Sequence, residues 1–161
     1  MQVFKPSFKY ASIMLAAFGL DRVSKWFILN YLPADPFTVF PNLNFVILWN
    51  RGVSFSFLHF DSAVGFWLLN ICIMLVVAFF GLYTYKQHIV QVKPIGFEML
   101  VIGGALSNII DRFIYGGVLD FIDFYYGSWH FATFNLADAF VFVGMVGLMS
   151  KLYSESNGKV E

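Results

Sequence analysis

SAVGFWLLNICIMLVVAFFGLYTY, residues 62–85, carries no charge over twenty-four positions and decides the fold class. A helix rising 1.5 Å per residue needs about 20 apolar residues to cross a hydrocarbon core roughly 30 Å thick. This stretch meets that length, and Lys86 follows it directly. Outward from it, three further segments have spanning length: 9–29, 94–114 and 132–152. Pro94 stands where a helix start tolerates proline, since the missing N–H would be unbonded there anyway. Composition agrees. Of the 161 residues 59% are hydrophobic and only 12% charged, against about 25% charged in ordinary soluble domains. The expectation is an all-α membrane protein: four transmembrane helices in a single integral membrane domain, 1–161, with a small extracytoplasmic β-structure between helices 1 and 2.

The charges orient this arrangement. Four spans put both termini on one side, and Lys5, Lys9, Lys86, Lys93, Lys151 and Lys159 fall on that side. The positive-inside rule makes it the cytoplasm. All seven aspartates then lie toward the outer face and all three glutamates toward the inner. The N-terminal run has the positive start and apolar stretch of a signal peptide but no small-residue cleavage site. It is read as an uncleaved first helix. The tail SESNGKVE is read as a short polar end that frays.

Residues 31–60 are too long for a plain connector. Phe37–Phe40 and Phe45–Trp49 are rich in β-branched and aromatic residues, Asn50-Arg51-Gly52 is a turn signal, and 53–57 alternates. These features predict strands resting on the outer leaflet with apolar side chains dipped into the interface. Trp26, Tyr31, Trp49, Trp67 and Trp129 fall near expected water–lipid boundaries, as an aromatic belt does.

Within so apolar a chain, ionisable residues cost a few kcal/mol each at membrane depth and therefore mark function. Asp120, in GGVLDFIDF, and Asp138, in ATFNLADAF, are eighteen positions apart. Two carboxylates brought together share one proton, because like charges at contact distance cannot both ionise. One serves as base and the other as acid, which is enough to hydrolyse a peptide bond without serine, cysteine or metal. Asp120 is placed in the short link between the last two helices. Asn108 and Arg112 share a face of the third helix, with Ser107 and Asp111 beside them, and Asn135 and Asp138 share a face of the fourth. Facing polar stripes satisfy one another, either as interhelical glue or as the support of a reaction. Asp21 and Lys25 form an acid-before-base i, i+4 pair, read as structural, and Gly103-Gly104 is read as permitting close helix approach.

Several classes are excluded. Zero net charge offers nothing to nucleic acid. His59, His88 and His130 are scattered without metal-ligand spacing, and no GxSxG or Gly-rich phosphate loop is present. Cys72, the single cysteine, is read as a small packing residue. A proton- or cation-conducting transporter component is the alternative that also uses buried acids.

Five strings, in order, resemble the motifs of lipoprotein signal peptidase (signal peptidase II), a bacterial membrane aspartyl protease family. Leu20-Asp21-Arg22-Val23-Ser24-Lys25 is similar to D-x-x-S-K, and Asn50-Arg51-Gly52-Val53-Ser54-Phe55-Ser56 to N-x-G-x-x-F-S. Residues 103–112, GGALSNIIDR, resemble G-G-x-x-x-N-x-x-D-R. Val118-Leu119-Asp120-Phe121 and Phe134-Asn135-Leu136-Ala137-Asp138 correspond to V-x-D-F and F-N-x-A-D. Val53 and Ser54 stand where alanines are common. The resemblance implies Asp120 and Asp138 as catalytic acids holding a water, with Asn50, Gly52, Asn108, Arg112 and Asn135 as substrate-binding or supporting residues. Asp21, Lys25 and Asp111 are then structural polar residues. It further implies a diacylglyceryl-prolipoprotein substrate cleaved just before its lipidated cysteine, and no metal or organic cofactor. The expected setting is the bacterial cytoplasmic (inner) membrane, multi-pass, with both termini cytoplasmic and the active site near the outer face. The expected partners are membrane lipid and no nucleic acid, and the expected state is a monomer.

Overall fold

The computed structural model describes residues 8–52, 62–91 and 93–157. In chain order the elements are α1 (Phe8–Tyr31), β1 (Phe37–Phe40), β2 (Leu43–Asn50), α2 (Ala63–Ile89), α3 (Gly96–Tyr115), β3 (Val118–Tyr126), β4 (Trp129–His130) and α4 (Leu136–Asn157). Among the described residues α2 and α4 are the two helices long and apolar enough to cross a membrane. Helices α1 and α3 carry the ionisable residues inward instead. Among the described residues thirteen buried polar or charged ones outnumber eight buried hydrophobic ones, while Leu75, Val76, Phe79 and Leu82 of α2 point outward. Such a molecule is inverted relative to a water-soluble one, and its surface suits hydrocarbon.

Helix α3 is the hub, packed against α1 on one side and α4 on the other. Adjacent glycines make this possible. A Cβ on Gly103 would sit 2.5 Å from the Met14 carbonyl oxygen of α1, and one on Gly104 would sit 2.5 Å from the Ala137 carbonyl oxygen of α4. The expected close approach is therefore two approaches, one per glycine. Successive helical residues point about 100° apart, so neighbours in sequence serve different neighbours in space.

The helix limits follow local chemistry. Ser62 caps α2, its side chain accepting from the Gly65 N–H, and Gly116 ends α3 in the left-handed conformation at φ 69°. Three boundaries differ from expectation. Pro94 lies two residues before α3, α4 begins at Leu136, and α4 runs on through Ser154 to Asn157, where Lys93 pairs with Glu155 at 2.9 Å. Residues 158–161 lie outside the described residues, as does the expected strand over 53–57.

The sheet corrects the sequence reading most. It has four antiparallel strands in the order β1-β2-β3-β4, drawn from both the α1–α2 and the α3–α4 connections. The link holding Asp120 is a nine-residue strand, β3, paired with β2 through Leu48↔Asp120 and Asn50↔Val118. The reversal expected at Asn50-Arg51-Gly52 leads into 53–57, outside the described residues, and β1 and β2 are joined by another one at Pro41-Asn42. There Asn42 takes a left-handed φ of 71°, which asparagine tolerates. Side chains alternate along β3. Leu119 and Phe121 enter a core with Ile28 of α1, whereas Val118 and Asp120 face the helices. The five belt aromatics are all exposed, from Trp49 at 39% to Tyr31 and Trp129 at 63%. Cys72 is exposed as well, so it does not pack inside the bundle.

Candidate active site

Helix α3 presents two columns stepping by four residues: Gly103, Ser107, Asp111 and Gly104, Asn108, Arg112, every one buried. The first column meets α1. Ser107 Oγ donates to Asp21 Oδ2 at 2.6 Å, and Asp111 accepts Lys25 Nζ at 2.7 Å and also pairs with Arg22. Lys25 Nζ lies 2.7 Å from Asp21 as well. Two acids and two cations thus balance inside the protein. Asp21 spends its other oxygen on α4, accepting from the Ala137 N–H at 2.9 Å and so satisfying an otherwise orphaned helix donor. The Asp21–Lys25 pair, which sequence spacing values at a few tenths of a kcal/mol, is instead 0% and 1% exposed and ties three helices together.

The second column meets the site. Asn108 Oδ1 accepts from Lys25 Nζ at 2.8 Å and from Asn135 Nδ2 at 3.2 Å, which leaves Asn108 Nδ2 to donate to Asp138 Oδ1 at 2.9 Å. Asn135 is not on α4 beside Asp138; it precedes the helix as its cap. Its Oδ1 accepts from the Asp138 N–H at 2.9 Å while its own N–H donates to Asp138 Oδ2 at 3.2 Å. This reciprocal pair is a capping box, and N-x-x-D before an apolar run is its sequence signal. The box fixes the rotamer of Asp138 by helix-start geometry alone.

Asp120 arrives from the sheet, 2% exposed. Its Oδ1 accepts from Asn135 Nδ2 at 2.7 Å and its Oδ2 from Asn50 Nδ2 at 2.9 Å. Asn50 Oδ1 in turn accepts the Gly52 N–H at 2.9 Å. Asn135 therefore touches both acids, and Asp120 and Asp138 line one cavity of about 170 Å³ with Asn50, Asn108, Arg112 and Val141. Burial raises the pKa of Asp120 to about 7, and the neighbouring charge of Asp138 adds to the rise. The amides of Asn50 and Asn135, and the Lys25 ammonium, pull it back down. A group so poised exchanges a proton at neutral pH.

Two arginines sit differently from expectation. Arg112 was placed beside Asp111, but Asp111 is satisfied by Arg22 and Lys25. Arg112 instead donates to the carbonyl oxygens of Asn108 at 3.2 Å and Gly52 at 3.0 Å, and its buried Nε has no partner among the described residues. Arg51 does not stand free on a wet turn; its guanidinium lies 5.2 Å from the centre of the Phe66 ring of α2. Arg22 is the member of the network that spacing gave no reason to single out. It lies one residue beyond Asp21, and only the packing of α1 on α3 shows which way it turns. Among the described residues no cluster of three or more His, Cys, Asp or Glu could hold a metal ion.

Comparison with known proteins points to a family. The sequence model described as signal peptidase (SPase) II matches residues 13–154. The lipoprotein signal peptidase of Buchnera aphidicola subsp. Acyrthosiphon pisum (strain 5A) is 38% identical over 146 residues, 90% of this chain and 91% of that one. That of Polynucleobacter necessarius subsp. necessarius (strain STIR1) is 34% identical over 152 residues, 94% and 93% of the two chains. A solved structure described as a bacterial membrane enzyme superposes with a TM-score of 0.75 at 25% identity, covering 99% of this chain and 96% of that chain. The transport alternative finds no support in these relatives.

Proposed function

The chain belongs to the signal peptidase II family, and on that premise we propose that it is the aspartic endopeptidase that removes signal peptides from diacylglyceryl-modified prolipoproteins. The observation that carries the catalytic assignment is the convergence of Asp120 and Asp138 on one cavity, with Asn135 bonded to both. In this reading the dyad holds one proton and a water. The ionised carboxylate takes a proton from the water as its oxygen attacks the scissile carbonyl, while the protonated one gives its proton to the carbonyl oxygen. Collapse of the tetrahedral intermediate breaks the C–N bond, and the proton gained by the base goes to the departing nitrogen.

The supporting residues have separable tasks. Asn108 and Asn135 hold Asp138, and Asn50 and Asn135 hold Asp120, by amide N–H groups that cannot themselves ionise. Arg112, with a spare Nε at the cavity wall, binds a substrate carbonyl. The quartet of Asp21, Lys25, Asp111 and the partly exposed Arg22 sets the frame.

The setting is part of the same proposal. All four helices cross the cytoplasmic membrane, both termini lie in the cytoplasm, and the sheet rests on the outer face with the dyad just beneath it. The protein works as a monomer without a cofactor. What supports this is the exposed apolar surface of the helices, the aromatic side chains around the sheet end and the lysines at the opposite end. The test is cleavage of a purified diacylglyceryl prolipoprotein. Asp120→Asn and Asp138→Asn should each lower turnover by at least about 10²–10⁴-fold, the scale of general acid–base catalysis, with melting temperature unchanged. Near-normal cleavage by either variant overturns the dyad.

A further inference from the structure

At the end of the bundle away from the aspartates lies a second cavity, about 280 Å³, between α2, α3 and α4. Its walls are apolar, from Phe80, Met145 and Leu152, but its floor is not. Glu98 of α3 is 2% exposed, with Oε1 3.2 Å from Lys151 Nζ and Oε2 buried without a partner among the described residues. Gln87 of α2 lines the same cavity, and its Oε1 is likewise buried and unpartnered. The cations here are already engaged. Lys151 also donates to the Pro94 carbonyl oxygen at 2.7 Å, and Lys93 pairs with Glu155 at 2.9 Å. Among the described residues these two acceptors are therefore left without a donor. Two buried acceptors, one of them a carboxylate oxygen, suit an ammonium group.

The two cavities are the ends of one seam. On α4, Asp138, Val141, Met145, Leu148, Leu152 and Glu155 are spaced 3-4-3-4-3 and so share a face. The first two line the aspartate cavity and the last four the second one. On α2, Ile73 lines the first cavity, and Phe80 and Gln87, seven and fourteen residues on, line the second. A 3-4 apolar spacing is the one that packs a further helix. From Asp138 to Glu155 the seam is roughly 25 Å long at 1.5 Å per residue. A signal peptide has an apolar stretch of about 7–15 residues, roughly 10–22 Å as helix, after a positively charged start. A few extended residues before the cleavage site supply the remaining length.

We infer that the Glu98–Gln87 pocket receives the ammonium group of a lysine at the positively charged start of the substrate's signal peptide, so that the enzyme holds its substrate at both ends of the apolar stretch. This rests on the functional reading above and adds a contact remote from the chemistry. Remote binding of this kind alters KM and leaves the bond-breaking step alone.

The experiment is a double-mutant cycle with protein in bilayer nanodiscs. Wild type and Glu98→Gln are each given a diacylglyceryl prolipoprotein with lysines at its start and the same substrate with those lysines replaced by glutamine. With wild type, KM should rise roughly three- to tenfold when the lysines are removed, the yield of one charge-assisted pair. Glu98→Gln should show the same rise on the lysine substrate and no further rise on the glutamine one, with kcat constant throughout. Gln87→Leu should move KM in the same direction, which guards against a folding defect particular to Glu98. Additive effects, or a KM indifferent to the lysines, overturn the inference. So does an effect of Glu98→Gln that follows the phosphatidylethanolamine content of the nanodisc instead of the substrate, since a lipid ammonium is then the occupant. Wild type that cleaves no such prolipoprotein overturns the functional reading and this inference with it.

Discussion

Asp120 is the residue on which the proposed chemistry turns, and its environment makes its pH dependence specific. Burial first, then the charge of Asp138, lifts it to about 7, while the Asn50 and Asn135 amides oppose the lift. The proposed active form of the dyad carries one proton. As pH rises through about 7 that proton leaves, so kcat/KM should fall on the alkaline side with an apparent pKa near 7, a value belonging to the pair. Asn50→Ala removes a hydrogen bond that favours the ionised carboxylate. The proton is then held more tightly, and the alkaline limb should move to higher pH, alongside a lower maximal rate. A limb that stays put, or moves down, contradicts the role given to Asn50. Of these residues the acids were legible in the sequence because an acid is conspicuous in an apolar chain. The asparagine partnerships were not, since amides bond to whatever packing brings near them.

Among the elements, α3 carries the opposite commitments of neighbouring residues. Gly104→Ala places a methyl group 2.5 Å from the Ala137 carbonyl oxygen. It should force α4 away and cost about 1–3 kcal/mol, with activity lost because Asn108 and Asp138 separate. Gly81→Ala meets nothing within 4 Å and should leave the melting temperature the same or slightly higher. Equal destabilisation by the two would show that close approach is not what Gly104 provides. The charged quartet gives a second contrast. Lys25→Met leaves Asp21 without a cation and Asp111 with Arg22 alone, and should cost about 3–5 kcal/mol. Arg112→Ala frees only two carbonyl oxygens, so it should lower the melting temperature less while damaging cleavage severely. Sequence spacing put Arg112 beside Asp111, whose cations are instead Arg22 and Lys25. A larger thermal loss for Arg112→Ala than for Lys25→Met would restore that first placement.

For the whole molecule, the sheet joins connections that are far apart in sequence and places Asp120 above the helices that hold Asp138. Strand β1 at its edge shows Phe37 and Phe40, 50% and 65% exposed, to the surroundings. If that edge lies on lipid and helps to seat a diacylglyceryl group, Phe40→Asp should raise KM severalfold in nanodiscs. It should leave the single-turnover rate at saturating substrate and the melting temperature in detergent unchanged. A fall in the saturating rate would make the edge part of the catalytic apparatus. The analogous test at Phe55 and Phe57 falls on positions outside the described residues.

By itself the sequence determined the helical segments, the polar columns and the pair of acids. Each depends on composition or on spacings of three, four or twenty residues, which the chain carries whatever surrounds it. It also placed β1 and β2, where β-branched and aromatic residues cluster. Only the tertiary structure decided that Val118–Tyr126 is a strand, because a short apolar run between two helices acquires its identity from a partner, here β2. Only it decided that Asn135 caps α4 and bonds both acids, and that Asp111 answers to Arg22 and Lys25. Helical periodicity tells which side chains share a face, but the partner of a face is chosen by packing. In this protein that choice is made by two adjacent glycines, which let α1 and α4 close on opposite sides of α3.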